Sequence, residues 1–169
     1  MDVLEAINTR RSIRKFTGEL ISDDELKAIL KAGFQAPSAH NLEPRDYVVI
    51  KDREIIERIT EFHPYSKMLP EAGCGIVVCG DREKQPQMGF LVADCSASIQ
   101  NMLLAAHGLG LGAVWCGIYA VENLVKSMSE LLNLPEKIIP IGLVVVGKKA
   151  ADKEPKDRYD ENKIHYNTW

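Results

Sequence analysis

No apolar run in the 169-residue chain is long enough to cross a membrane. Its opening, Met1 to Ser12, is polar and periodic, unlike a secretory leader with an apolar centre. These absences predict a cytoplasmic protein with no membrane partner. The four cysteines, Cys74, Cys79, Cys95 and Cys116, never fall in C-x-x-C spacing, which excludes the usual zinc and redox motifs. A chain of this length needs no disulfide staples, so reduced thiols are expected. The four histidines, His40, His63, His107 and His165, are scattered and form no ligand pair at helical spacing, so no metal is expected. Net charge is -3, without the overall basic footprint of a nucleic-acid binder. There is no internal repeat and no low-complexity segment.

What remains is an ordinary globular balance, 46% hydrophobic and 27% charged, sized for one domain over residues 1–169. Val3, Leu4, Ala6 and Ile7 suggest a short helix ending near Arg10. Ser22 to Glu25 reads as a capping box, Leu26, Ile29 and Leu30 continue the helical period, and Gly33 is a natural stop. Pro37 to Pro44 must be a loop. Tyr47 to Ile50 reads as a strand, and Asp52 as the cap of a helix carrying Ile55, Ile56 and Ile59. Gly75 to Cys79 is wholly apolar, the mark of a central strand. Met88 to His107 is apolar around much of its circumference and predicts a buried helix stopped by Gly108. Ala113 to Cys116 and Ile138 to Val146 are strands, the latter with Pro140 at its start, and Val121 to Leu132 is a helix. The sum is an α+β, mixed α/β sandwich: a central, mostly antiparallel sheet of about four to five strands flanked by helices. Residues 148–163 are almost all charged or polar, as in a solvated tail, yet the chain ends on Ile164, Tyr166 and Trp169. Apolar residues there suit an arm that packs on another surface, such as a second subunit.

Arg10, Arg11, Ser12, Arg14 and Lys15 place four cations and a hydroxyl within six residues. Guanidinium groups match phosphate oxygens in a bidentate fork, and a serine adds a neutral donor. The same string also suits a solvated basic patch. In the Pro37 to Pro44 loop, the Asn41 amide offers a donor and an acceptor together, as an imide requires. Gly108, Gly110 and Gly112 follow a helix and lead into a strand, the reverse of a dinucleotide fingerprint, so they are turn residues. Trp115, Cys116 and Gly117 sit at a strand end, where Gly117 lets a flat ligand approach the backbone. Cys116 has no histidine near it in sequence and is not a convincing nucleophile. Lys156 and Arg158 form a second cation pair in the charged arm.

The order of these pieces resembles the nitroreductase family of FMN-dependent NAD(P)H oxidoreductases. The likeness runs from Leu4 to Arg158 and rests on RRSIRKF from Arg10, APSAHNLEP from Ala36, GLGAVWCG from Gly110 and KDR from Lys156. It implies that Arg10, Ser12, Lys156 and Arg158 hold the FMN phosphate, with Arg11 beside them. It implies that Arg14 faces the ring near N1 and O2, where a cation favours negative charge. Trp115, Cys116 and Gly117 line the ring, with the Gly117 N–H near N5 and Lys67 as a further contact. Pro37, Ser38, Ala39 and Asn41 reach the flavin from a neighbouring subunit. The implied assembly is a homodimer with flavin at the interface and the 148–169 arm embracing the partner. The implied reaction takes hydride from NADH or NADPH onto flavin N5 and reduces a nitroaromatic, quinone or similar acceptor. Relatives of the same scaffold that dehalogenate or degrade flavin, and a non-enzymatic flavin binder, are the alternatives.

The chain departs from the family pattern in three places. Glu43-Pro44-Arg45 stands where the family often has Gln-Pro-Trp. Gly117 occupies a position often acidic in one branch. Little chain lies between Leu69 and Met88, or between Cys95 and Gly108, to build inserted helices over the pocket, which predicts an open site. Arg45 and Lys67 are candidates to meet a nicotinamide 2′-phosphate.

Overall fold

Two strands of this chain have no polar face at all, and that dictates the layering. In the computed structural model, which describes residues 1–169, every residue of β2 (Cys74–Asp81) is buried. In β4 (Ile138–Gly147) the last eight residues are buried. Strands covered on both faces read as continuous apolar runs. They lie side by side at the centre of a four-stranded antiparallel sheet, with β1 (Arg45–Ile50) outside β2 and β3 (Gly112–Gly117) outside β4.

The pleat sends alternate side chains to opposite layers. Ile76, Val78, Val144 and Val146 meet Ile29 of α2 (Asp23–Phe34) and Cys95, Ile99 and Met102 of α5 (Met88–Gly108). Val77, Cys79, Leu143 and Val145 meet Ile59 of α3 (Arg53–Phe62), Leu69 of α4 (Leu69–Ala72) and Met128 of α6 (Glu122–Leu131). By length and composition alone α5 passes for a membrane span, as core helices of its length do. Instead its apolar side is packed between α2 and the sheet, with Leu91, Ile99 and Met102 fully enclosed.

The caps follow their side chains. Ser22 and Glu25 form the reciprocal box on α2, and Asp52 accepts the Ile55 N–H on α3. α5 ends at Gly108 as expected, and Gly110 takes the left-handed turn with φ +77. Only glycine enters that region without steric cost. Pro140 pairs opposite Cys79 beside a bulge at the Val78/Cys79 register shift, where a missing N–H is tolerated. The short α4 was not foreseen.

Two features frame the site. α1 (Val3–Thr9) buries none of its residues, and Val3, Leu4 and Ile7 are exposed. The segment after it, 10–17, runs along the outer edge of the fold. Ile13 N–H donates to Ala113 O of β3 (3.0 Å), Thr17 N–H to Lys148 O (2.9 Å), and Ala150 N–H returns to Lys15 O (3.0 Å).

Candidate functional site

The 10–17 segment crosses the surface anchored at every third residue rather than at alternate ones. Ile13 and Phe16 are buried and pin the segment, while Arg14 stays exposed and Ser12 half-exposed. Arg10 and Arg14 open into two separate cavities. Four residues of extended chain reach at most about 14 Å, so one small ligand can engage both ends.

The Arg10 cavity, about 570 Å³, also has Arg11, Lys156 and Arg158 in its wall. Burial lowers the Arg10 pKa, and repulsion by Arg11 and Arg158 lowers it further. Arg10 Nε is buried without a hydrogen-bond partner. A crowd of cations with an orphaned guanidinium donor is the electrostatic signature of an anion site. Ser12 lies outside this cavity's wall, with its backbone bridged to Ala113.

The Arg14 cavity, about 340 Å³, brings Arg14 together with Lys67, Trp115, Cys116 and Gly117. Its floor is the open edge of β3. Along an antiparallel ladder, residues alternately face the partner strand and turn away from it. Ala113 and Gly117 both turn their carbonyls away from β4, towards Ile13 N–H and His63 Nε2 (3.0 Å). The Gly117 N–H therefore also faces the open edge. The Trp115 indole lies against Gly142, where an added Cβ would fall 2.4 Å from its Nε1. Past the indole is a second hollow of about 280 Å³, lined by Val92, Ser96 and Tyr119.

Of the cavity's other wall, the 63–68 loop, the sequence reading had named Lys67 alone. His63 is fully buried; Tyr65 N–H donates to its Nδ1 (3.3 Å), so Nε2 carries the proton and donates to Gly117 O. The Cys116 thiol donates to Tyr65 O (3.1 Å), and burial pushes its pKa up to about 11. These two bonds staple the loop to the end of β3 and set Lys67, whose Nζ donates to Thr60 O, beside Arg14. A thiol at that pKa is no thiolate nucleophile. No sequence periodicity marks His63; its helix–Pro junction, Phe62-His63-Pro64, is the one available signal.

Burial lowers the His63 pKa below its ordinary 6.5, despite the opposing bond to Gly117 O. The unfolded chain then binds more protons than the folded one below about pH 6.5, so stability falls as pH drops through that window. Urea melts at pH 7.5 and 5.5 should show a larger loss for the parent protein than for His63→Gln, which cannot charge. Equal losses would remove His63 as the cause.

The Pro37 to Asn41 loop lines neither cavity. It is held rigidly nonetheless: Ala39 N–H donates to buried Asp94 Oδ1 (2.9 Å), and Ser38 Oγ accepts from Glu43 N–H (2.9 Å). His40, Asn41 and Glu43 all take positive φ, a strain that persists only where surroundings enforce it. The suggested role of Arg45 in meeting a 2′-phosphate does not survive. Arg45 is 4% exposed and donates to Phe34 O (2.8 Å) and Ala36 O (2.6 Å), closing the end of α2.

Comparison with known proteins places this geometry. A model described as the Nitroreductase family matches residues 7–63 and 63–148. A Methanothermobacter thermautotrophicus protein named "Putative NADH dehydrogenase/NAD(P)H nitroreductase" is 43% identical over 169 residues, covering 100% of this chain and 88% of the relative. A crystal structure of the same description from Parabacteroides distasonis ATCC 8503 superposes with a TM-score of 0.95 at 35% identity, covering 98% of each chain. An FMN-dependent nitroreductase from Clostridium difficile R20291 superposes with a TM-score of 0.89 at 26% identity, covering 99% of this chain and 100% of that one.

Proposed function

Because this chain belongs to the nitroreductase family, we propose that it holds the FMN phosphate in the Arg10 cavity and the flavin ring in the Arg14 cavity, and reduces nitroaromatics, quinones or similar acceptors. The protein is an NAD(P)H-dependent FMN oxidoreductase. The observation that carries the site assignment is the orphaned, buried Arg10 Nε among Arg11, Lys156 and Arg158. When bound, FMN would supply the redox chemistry that links NADH or NADPH to the acceptor.

The chain's own residues bind, orient and polarise. Arg10, Lys156 and Arg158 neutralise the phosphate, and Ser12 adds a neutral donor from the adjoining segment. Arg14 and Lys67 put positive charge beside the ring, which favours electron uptake there. The free Gly117 N–H at the β3 edge would donate to the flavin ring, and His63 holds that peptide end in place. Trp115 and Cys116 supply the ring's apolar bed.

The reading requires a second copy of the chain. Pro37, Ser38, Ala39 and Asn41 lie outside both cavities of their own chain, and serve the partner's flavin in a homodimer. Exposed Val3, Leu4 and Ile7 on α1 offer an apolar surface for that contact. Trp169 is 100% exposed and Tyr166 83% exposed in one copy, as expected of an arm (148–169) that packs on its partner. Residues 1–169 then form one FMN-binding domain with an exchanged arm. Four free cysteines suit the reducing cytoplasm.

Purified protein reconstituted with FMN should carry one flavin per chain at twice the chain mass by light scattering. Its yellow absorbance should disappear when NADH or NADPH is added without air, and return with a nitroaromatic or quinone. A chain that takes up no FMN, or whose flavin resists both nicotinamides, sinks the proposal.

A further inference from the structure

Arg11 stands in the wall of the Arg10 cavity, yet its guanidinium is turned to another use. Four of its hydrogen bonds go to backbone carbonyls. Nη1 donates to Asn8 O (3.1 Å) and Arg10 O (2.6 Å), at the end of α1. Nε donates to Glu154 O (3.2 Å) and Nη2 to Lys156 O (3.0 Å), in the C-terminal arm. A guanidinium has five N–H donors, so one is left. The last two bonds are the only hydrogen bonds joining residues 153–169 to the rest of the chain; every other one made by that stretch is internal to it. The arm they hold down carries Lys156 and Arg158 to the cavity that Arg10 faces.

We propose that Arg11 is a positioning residue: it latches the C-terminal arm over the phosphate cavity, so that arm docking and phosphate binding are a single coupled event. The proposal rests on the FMN reading above and deepens it. Docking the arm brings Arg158 close enough to Arg10 to disfavour its charge. Two phosphate charges reverse that repulsion. Arg11 supplies the mechanical link and the phosphate the electrostatic one. Linkage is reciprocal: whatever factor the docked arm adds to phosphate affinity, phosphate adds to arm docking. Because the arm continues towards the partner subunit, flavin loading also tightens the dimer at this point.

The test compares FMN with riboflavin, which lacks only the phosphate, on the full-length protein. Trypsin cleavage after Lys153, Lys156 and Arg158 reports whether the arm is docked. In the parent protein FMN should slow this cleavage at least fivefold, and riboflavin should not. Arg11→Ala should cleave faster than the parent without ligand, lose FMN protection, and bind FMN at least tenfold more weakly with riboflavin affinity within twofold. Arg11→Lys keeps the charge but not the planar fork, and should behave like Arg11→Ala. Arg10→Ala leaves the latch intact and relieves the repulsion from Arg158, so its ligand-free cleavage should be no faster than the parent's. Three results overturn the inference: equal protection by FMN and riboflavin, parent-like FMN affinity in Arg11→Ala, or full rescue by Arg11→Lys. A parent protein that binds FMN no better than riboflavin overturns the phosphate-site reading itself, which separates the two failures.

Discussion

Arg10→Ala is expected to raise the dissociation constant for FMN roughly 10- to 100-fold without loss of stability in the flavin-free protein. A hydrogen bond to a charged group contributes about 1.5–3 kcal/mol, and about 1.4 kcal/mol is a factor of ten. Arg10 is suited to that role because its Nε has no partner inside the protein. The absence of loss in the empty protein follows from the same geometry. Arg10 stabilises nothing there, since burial and the charges of Arg11 and Arg158 all disfavour its cation. An alanine relieves that repulsion. Fluorescence titration with FMN, paired with thermal melts of the flavin-free protein, reads both halves. Undiminished FMN affinity removes Arg10 from the phosphate site. A destabilised empty protein makes Arg10 a structural residue instead.

The second large effect lies in the core. Leu143→Ala should lower stability by about 2–5 kcal/mol, the range for truncating a buried leucine. Leu143 is fully enclosed on β4, directly across from Val77 on one side and Cys116 on the other. Its Cδ1 would lie 3.1 Å from a Cβ on Gly75, so the sheet and α4 close tightly around it. Such tight surroundings collapse poorly into a void, which favours the upper part of the range. Stability of this size of chain totals about 5–15 kcal/mol. A melting temperature lower by roughly 5–15 °C is expected at about 2–4 °C per kcal/mol. Urea melts of the flavin-free protein check this. A loss under about 1 kcal/mol contradicts the burial argument. FMN should bind the variant more weakly as well, because Cys116 loses its cross-strand neighbour beneath the ring cavity.

Much of the architecture was legible because its signals are local. The all-apolar strand at Gly75 to Cys79, the Ser22–Glu25 box and the Asp52 cap depend on residues a few positions apart. So does the apolar circumference of α5. Where a signal needed the third dimension, reading failed or stopped short. Asp94 and Ser98 are polar residues buried within an apolar helix, visible only once their partners Ala39 N–H and Tyr47 Oη are in place. Arg45 read as a candidate to meet a 2′-phosphate, and folding spends it on the carbonyls at the end of α2.

By itself the sequence determined the residue types available for phosphate and flavin and their order along the chain. Hydrophobic period and hydrogen-bonding capacity are properties of neighbours, so they can be read along one dimension. Only the tertiary structure decided how the arginine cluster divides. Arg10 is left with an unsatisfied donor, Arg14 opens into a cavity with Gly117 and Lys67, and Arg11 is taken up by carbonyls about 145 positions away. Three arginines within five residues are chemically alike in the sequence. They differ because a guanidinium's role is set by which acceptors the folded backbone brings within hydrogen-bond reach, and by which it leaves out.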